Sequence, residues 1–156
     1  MMVKRDIRLA TLDDIAVMHE WVNFDDSLKW KKDTKRIISR EEHAEWFRSR
    51  LADPLTQIWI ILDDDVPSGQ VRLEKKDELV YVDIYVVAGA RGTGLASFAL
   101  NGSINRYTKL FGSQKFCAIV HPENEMSEKL FVKNGFHKAT GKSAYWLQLV
   151  RMALAY

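Results

Sequence analysis

Arg91-Gly92-Thr93-Gly94-Leu95-Ala96 decides how this chain is read. Ahead of it Leu79 to Val87 forms the longest apolar run, which predicts a central strand. Behind it Leu95, Phe98, Ala99, Ile104 and Tyr107 recur at helical spacing until Gly112, a glycine stop. Glycines at a strand-to-helix junction let backbone N–H groups approach a ligand, and the helix dipole there favours an anion. A Walker loop would need Lys-Ser/Thr after its last glycine, and Leu95-Ala96 stands there instead. A dinucleotide fingerprint would need a third glycine where Ser97 lies and an acid about 20 positions on, yet Gly112 to Pro122 holds none.

Working outward, Ile7 to Ala10 alternates as a short strand, and Thr11 caps a helix that carries Ile15, Met18, His19 and Val22 to about Asn23. A polar, irregular stretch follows to Arg36. Ser39 with Glu42 predicts a capping box for a second helix bearing His43, Trp46, Phe47 and Leu51, which ends before Asp53-Pro54. Gln57 to Leu62 and Gln70 to Glu74 read as strands, with Asp63-Asp64-Asp65, Pro67 and Gly69 as the turn between them. Lys76-Asp77 marks the next turn. Lys115 to Val120 is a further strand, Asn124 opens a helix that closes at Asn134-Gly135, and Ala144 to Met152 is the last strand. The order β-α-α-β-β-β-α-β-α-β implies an α/β sheet that mixes hairpins with crossover units.

The chain has 156 residues, enough for one domain spanning 1–156 and too few for two. Its 23 basic and 21 acidic residues leave a net charge of +2, which selects no partner. Lys29, Lys31, Lys32, Lys35 and Arg36 cluster as a solvated loop or a phosphate contact, and no nucleic-acid-binding signature accompanies them. One cysteine, Cys117, forbids an internal disulfide. Without a signal-peptide pattern or a membrane-length apolar run, the chain is expected to be cytoplasmic. No metal is invoked, and oligomeric state stays open, a homodimer among the options.

Arg91-x-x-Gly94-x-Ala96 resembles the Arg/Gln-x-x-Gly-x-Gly/Ala signature of the GNAT acetyltransferase superfamily. Asn124, Ser127, Leu130, Phe131 and Asn134-Gly135-Phe136 are similar to that family's closing pattern, and the likeness covers about Ile7 to Val150. The resemblance implies the GNAT fold, a mixed sheet of about six to seven strands flanked by about four helices, and acetyl-CoA as co-substrate. Arg91, Gly92, Thr93, Gly94, Leu95 and Ala96 would cradle the pyrophosphate. Ile84 and Val86 would offer backbone to the pantetheine arm, with Asn124, Ser127 and Phe131 closing the cofactor site.

Acetyl transfer to an amine needs a neutral amine, stabilisation of the thioester oxygen, juxtaposed substrates and help for the departing thiolate. The resemblance implies direct transfer in a ternary complex, with the backbone near Val86 as oxyanion donor. Many GNAT enzymes carry a Tyr acid where this chain has Phe131, which cannot donate a proton. Tyr145 and Ser127 are substitutes, or the thiolate leaves unaided. For the base, Asp83 sits inside an apolar run with Tyr81 and Tyr85 on its face, and burial is expected to raise its pKa. His121 ends the next strand and belongs to a residue type that titrates near neutrality. Glu123 is the third candidate.

Glu20-Trp21-Val22-Asn23, Glu42-His43-Ala44-Glu45-Trp46 and Gly69-Gln70-Val71-Arg72 are similar to acetyltransferases of bacterial amino-sugar-nucleotide pathways such as pseudaminic acid biosynthesis. That likeness implies a small-molecule amine, carried on a nucleotide, met by Trp21, Asn23, His43, Trp46 and Arg72. Trp46 and His43 also fit a plain core role, and Arg72 a pairing with Asp83 or Glu74. An acetyltransferase for a protein N-terminus, polyamine, amino acid or antibiotic, and a non-catalytic acyl-CoA-binding regulator, are the alternatives.

Overall fold

A computed structural model describes residues 4–31, 36–139 and 146–155. The elements in chain order are β1 (Arg5–Leu9), α1 (Ile15–Val22), α2 (Asp25–Leu28), α3 (Arg40–Ala52), β2 (Thr56–Asp63), β3 (Val66–Lys76) and β4 (Leu79–Val86). Then come α4 (Leu95–Phe111), β5 (Gln114–Val120), α5 (Glu125–Lys133), β6 (His137–Lys138) and β7 (Leu147–Ala153). The described strands make one seven-stranded sheet in the order β1-β2-β3-β4-β5-β7-β6. Only β4 and β5 pair in parallel; the other neighbours are antiparallel. A mixed α/β sheet of six to seven strands is what the sequence implies; α2, a single turn in the stretch read as irregular, brings the α-helices among the described residues to five.

Alternation along β2 shows how the sheet feeds two cores. Trp59 and Ile61 face the larger one with Val71, Leu73, Val80, Phe116 and the α4 residues Leu95, Ala99, Leu100 and Ile104. Ile58 and Ile60 face the smaller one, closed by Met18 and Trp21 of α1 and Phe47 of α3. The sheet is therefore covered on both faces, α4 on one and α1 with α3 on the other.

Three local readings change. The β2–β3 turn is only Asp64-Asp65, both at positive φ (52° and 68°), as a two-residue hairpin requires. Pro67 and Gly69 lie inside β3, where a register shift between Ile61 and Leu62 tolerates the proline. A Cβ at Gly69 would meet the Tyr85 carbonyl oxygen at 2.1 Å, so glycine there serves strand contact rather than turning. At α3, Ser39 Oγ accepts the Glu42 N–H (3.2 Å), but the Glu42 carboxylate reaches Arg36 (2.7 Å) and leaves the box half made. The last strand begins at Leu147; Ala144 and Tyr145, like Lys32 and Lys35, fall outside the described residues.

What positions the site is a divergence in the sheet. β4 pairs with β5 only through Leu79, Val80 and Tyr81, whereas its partnership with β3 continues to Val86. From Val82 on, β4 and β5 part. A polar clasp holds the helices around the opening: Asn134 Nδ2 donates to Ser97 Oγ (3.0 Å), and Arg151 donates to Asn101 Oδ1 (2.8 Å) and the Asn134 carbonyl (3.1 Å).

Candidate active site

A cleft of about 520 Å³ runs through this divergence. One half is built from backbone. Gly94 is the N-cap of α4 at φ +84°, and Gly92 stands at +77° with open space where a Cβ would be. No side chain caps α4, so its first N–H groups point outward unpaired in the helix. A 17-residue helix with an uncapped, glycine-lined start suits an anion such as pyrophosphate. Arg91, Gly92, Gly94 and Ala96 line the cleft. The Leu95 side chain is core and Thr93 Oγ1 donates to the Ala90 carbonyl (3.1 Å), which leaves those two residues only their backbone to offer.

The Val87 N–H donates to the Ser68 carbonyl on β3 (2.9 Å). Backbone groups alternate sides along a strand, so those of Val86 and Ile84 turn the other way, toward the gap where β5 has departed. The Val86 carbonyl accepts from Arg91 Nε (2.8 Å), and its N–H is left facing the gap. Ile84 and Val86 both line the cleft. Across it stand Asn124, whose side chain accepts the Ser127 N–H (3.3 Å) to start α5, together with Ser127 and the buried Phe131.

Arg91 has a second partner that sequence reading missed. Its guanidinium donates to Asp26 Oδ2 on α2 (2.7 Å), and the Tyr85 hydroxyl donates to Asp26 Oδ1 (2.9 Å). Burial first, then its bond to Asp26 and that carboxylate's charge, push the Tyr85 phenol up to about 12. α2 thus closes over the cofactor end through a carboxylate resting on the cation of the anion loop. The only trace in the sequence is the acid pair Asp25-Asp26 at the first turn of a short helix.

The other half is built from side chains. Trp21, His43, Trp46 and Arg72 line it, with Gln70, Asp83 and Lys31. Arg72 packs over the Trp46 ring at 5.0 Å and lies near Glu74 (3.6 Å) and Asp83 (3.8 Å). Gln70 Nε2 donates to Asp83 Oδ2 (2.9 Å). Burial pushes the Asp83 pKa up, but the charges of Arg72 and Lys31 and the Gln70 bond outweigh it and leave the carboxyl below its ordinary range. That reverses the expected rise. Asn23 stands apart from the cleft: its Oδ1 accepts the Ile38 N–H (2.8 Å) and its Nδ2 donates to the Ile38 carbonyl (2.9 Å), so both ends are spent on chain-to-chain pairing.

His121 lies on the cleft wall between the rings of Trp30 (5.1 Å) and Trp146 (4.8 Å). Its Nδ1 accepts the Glu123 N–H (3.0 Å). Glu123 does not line the cleft, and Ser127 does. Tyr145 lies outside the described residues.

Among the described residues no helix is long and apolar enough to cross a membrane. No curated protein matches the chain in sequence. The solved structures give the fold directly. A domain from Methanocaldococcus jannaschii DSM 2661 superposes with a TM-score of 0.83 at 20% identity, covering 97% of this chain and 100% of its own. Spermidine N-acetyltransferase from Vibrio cholerae, in complex with CoA and spermine, gives 0.80 at 16% identity over 96% and 95%. RimL, a ribosomal L7/L12 alpha-N-protein acetyltransferase in complex with coenzyme A, gives 0.79 at 12% over 95% and 93%. The family profile described as acetyltransferase (GNAT) domain matches residues 6–137. The splayed strands, the glycine-capped helix and that match agree, and the chain belongs to the GNAT acetyltransferases.

Proposed function

We propose that this chain is an acetyl-CoA-dependent N-acetyltransferase that acetylates a primary amine on a sugar, carried on a nucleotide, by direct transfer within a ternary complex. The observation that carries the cofactor half is the uncapped start of α4 beside Arg91, at the end of a β4 edge that β5 has abandoned. Pyrophosphate would sit on the N–H groups from Gly92 to Ala96, and the pantetheine arm would run along Ile84 and Val86. The Val86 N–H, turned to the gap, would receive the charge that develops on the thioester oxygen. Asn124, Ser127 and Phe131 would close the far wall. His121 is the proton-transfer group that the wall offers, with Asp83 engaged by Arg72 and Gln70 and Glu123 off the wall. The thiolate leaves without a phenol at position 131, which a thiol pKa near 8.5 tolerates.

The sugar reading is supported by Trp21 and Trp46 on the acceptor wall, flat faces for a ring to lie on, and by Lys31, a cation within reach of a nucleotide phosphate. The lone buried thiol of Cys117 fits a reducing, cytoplasmic setting. Acetyl-CoA should raise the melting temperature by mass action, and no shift at millimolar concentration would end the cofactor claim. Release of CoA thiol is then followed against amino-sugar nucleotides, polyamines, peptides and aminoglycosides. Turnover confined to the last three classes would overturn the sugar reading and leave the cofactor claim standing.

A further inference from the structure

Two polar groups on the acceptor wall have nothing to bond. His43 is 2% exposed and neither ring nitrogen has a partner among the described residues; Gln70 is 5% exposed and its Oε1 has none there either. Both line the cleft. They belong to one continuous patch: His43 lies against Trp46 (5.8 Å between rings), Trp46 under Arg72, Arg72 beside Asp83, and Asp83 bonded to the Gln70 amide. Arg72, Asp83 and Glu74 in that patch are matched to one another, with Glu74 also held by Arg50. A buried polar group without a partner destabilises the fold, so two on one wall call for something that arrives with the substrate.

The chemistry of the missing partner follows from what is unmet. Gln70 Oε1 needs a donor. Neutral His43 offers one N–H and one lone pair. Burial first, then His19 and Lys31, hold the His43 imidazole down at about 4, so it stays uncharged at neutral pH. Whatever keeps a proton off that ring also opposes an ammonium placed against it. An anion would face the Gln70 carbonyl oxygen and the π-faces of Trp46 and Phe47. A neutral group that both donates and accepts can give its hydrogen to Gln70 Oε1 while it takes the His43 N–H, and a hydroxyl is the simplest.

We propose that His43 and Gln70 form a hydroxyl-reading subsite, which selects acceptors bearing a hydroxyl close to the reacting amine. This rests on the acetyltransferase reading of the cleft and deepens it to a substrate class. Amino sugars and amino alcohols carry such a group, and simple polyamines do not.

The test uses trans-2-aminocyclohexanol and cyclohexylamine, which differ by that hydroxyl alone, with acetyl-CoA and the intact chain. Wild type should favour the amino alcohol about tenfold or more in kcat/KM, because a site built to bond a hydroxyl discriminates against its absence. His43→Phe and Gln70→Met should each bring the ratio toward one. The unliganded melting temperature of His43→Phe should hold or rise, since the ring loses no bond. Absence of a preference in wild type, turnover of neither compound included, overturns the subsite. So does a ratio unmoved in both variants, or a fall of about 5 °C in unliganded His43→Phe, which would mean the ring already has a partner in the protein. A hydroxyl preference that both variants abolish, in an enzyme that ignores every sugar nucleotide, sustains the subsite and sinks the nucleotide-sugar reading instead.

Discussion

The two halves of the cleft are made of different material. The cofactor half is a shape of the main chain: the start of α4, the glycines before it and the freed edge of β4. The acceptor half is an arrangement of side chains from α1, α3, β3 and β4, held by Arg72 pairing and aromatic contact. Backbone geometry tolerates drift in sequence, as the M. jannaschii domain shows by keeping the fold at 20% identity. Side-chain arrangement has no such tolerance, because each contact needs its own residue.

The sharpest way to break this contrast is to disturb the backbone half alone. Gly94→Val forces a β-branched residue into φ +84° at the start of α4, where steric strain is about 1–2 kcal/mol and the N–H groups lose their alignment. Acetyl-CoA affinity by calorimetry should fall about a hundredfold, some 2.7 kcal/mol, with far-UV circular dichroism retained. A change under threefold would mean that side chains, not the glycine-shaped loop, hold the cofactor.

The acceptor half should announce itself through pH. His43 is held down at about 4 when folded, against an ordinary value near 6.5 in the unfolded chain. Between those values the unfolded chain binds more protons, so this contribution to stability is complete above about pH 6.5 and lost as pH falls toward 4. On going from pH 7 to pH 4.5, wild type should lose about 5 °C more in melting temperature than His43→Phe. Equal losses would show that the ring titrates freely.

A smaller effect tests where the halves meet. Asp26 rests on Arg91 and is partly exposed, so solvent screening limits what the pair is worth. Asp26→Asn leaves Arg91 to an incoming phosphate and should tighten acetyl-CoA about fivefold, about 1 kcal/mol. Weaker binding would mean that α2 holds the cofactor rather than competing with it.

The least change is expected at Asp83. With its carboxyl already below the ordinary range, Asp83→Asn should leave the acidic limb of the kcat pH profile in place and raise the acceptor KM about threefold through the lost Arg72 and Gln70 contacts. Loss of that limb would restore Asp83 as the base.

The same division governs what the sequence made legible. Glycines at a strand-to-helix junction leave a local signature, so the loop and both flanking elements are readable from Leu79 to Gly112. Asn124 as a cap is local for the same reason: it bonds a group three residues on. Asp83 was read backwards because its pKa depends on Arg72, opposite it across the β3–β4 register, and on Gln70 nearby. Asn23 looked like a ligand because its true partner, Ile38, lies across an irregular stretch. Asp26 carried no periodic or motif signal and Gln70 only its place in Gly69-Gln70-Val71-Arg72, and only packing brings Gln70 to Asp83 and Asp26 to Arg91.

Cys117 turns out to matter at the bench. It is the chain's single cysteine, fully enclosed in β5, and burial pushes its thiol up against the weaker opposing pull of Lys115. A disulfide dye that reports released CoA thiol will therefore find nothing to react with in the native protein. One equivalent per chain will appear only when the sheet opens, so the reagent that counts turnovers also counts unfolded molecules in the same cuvette.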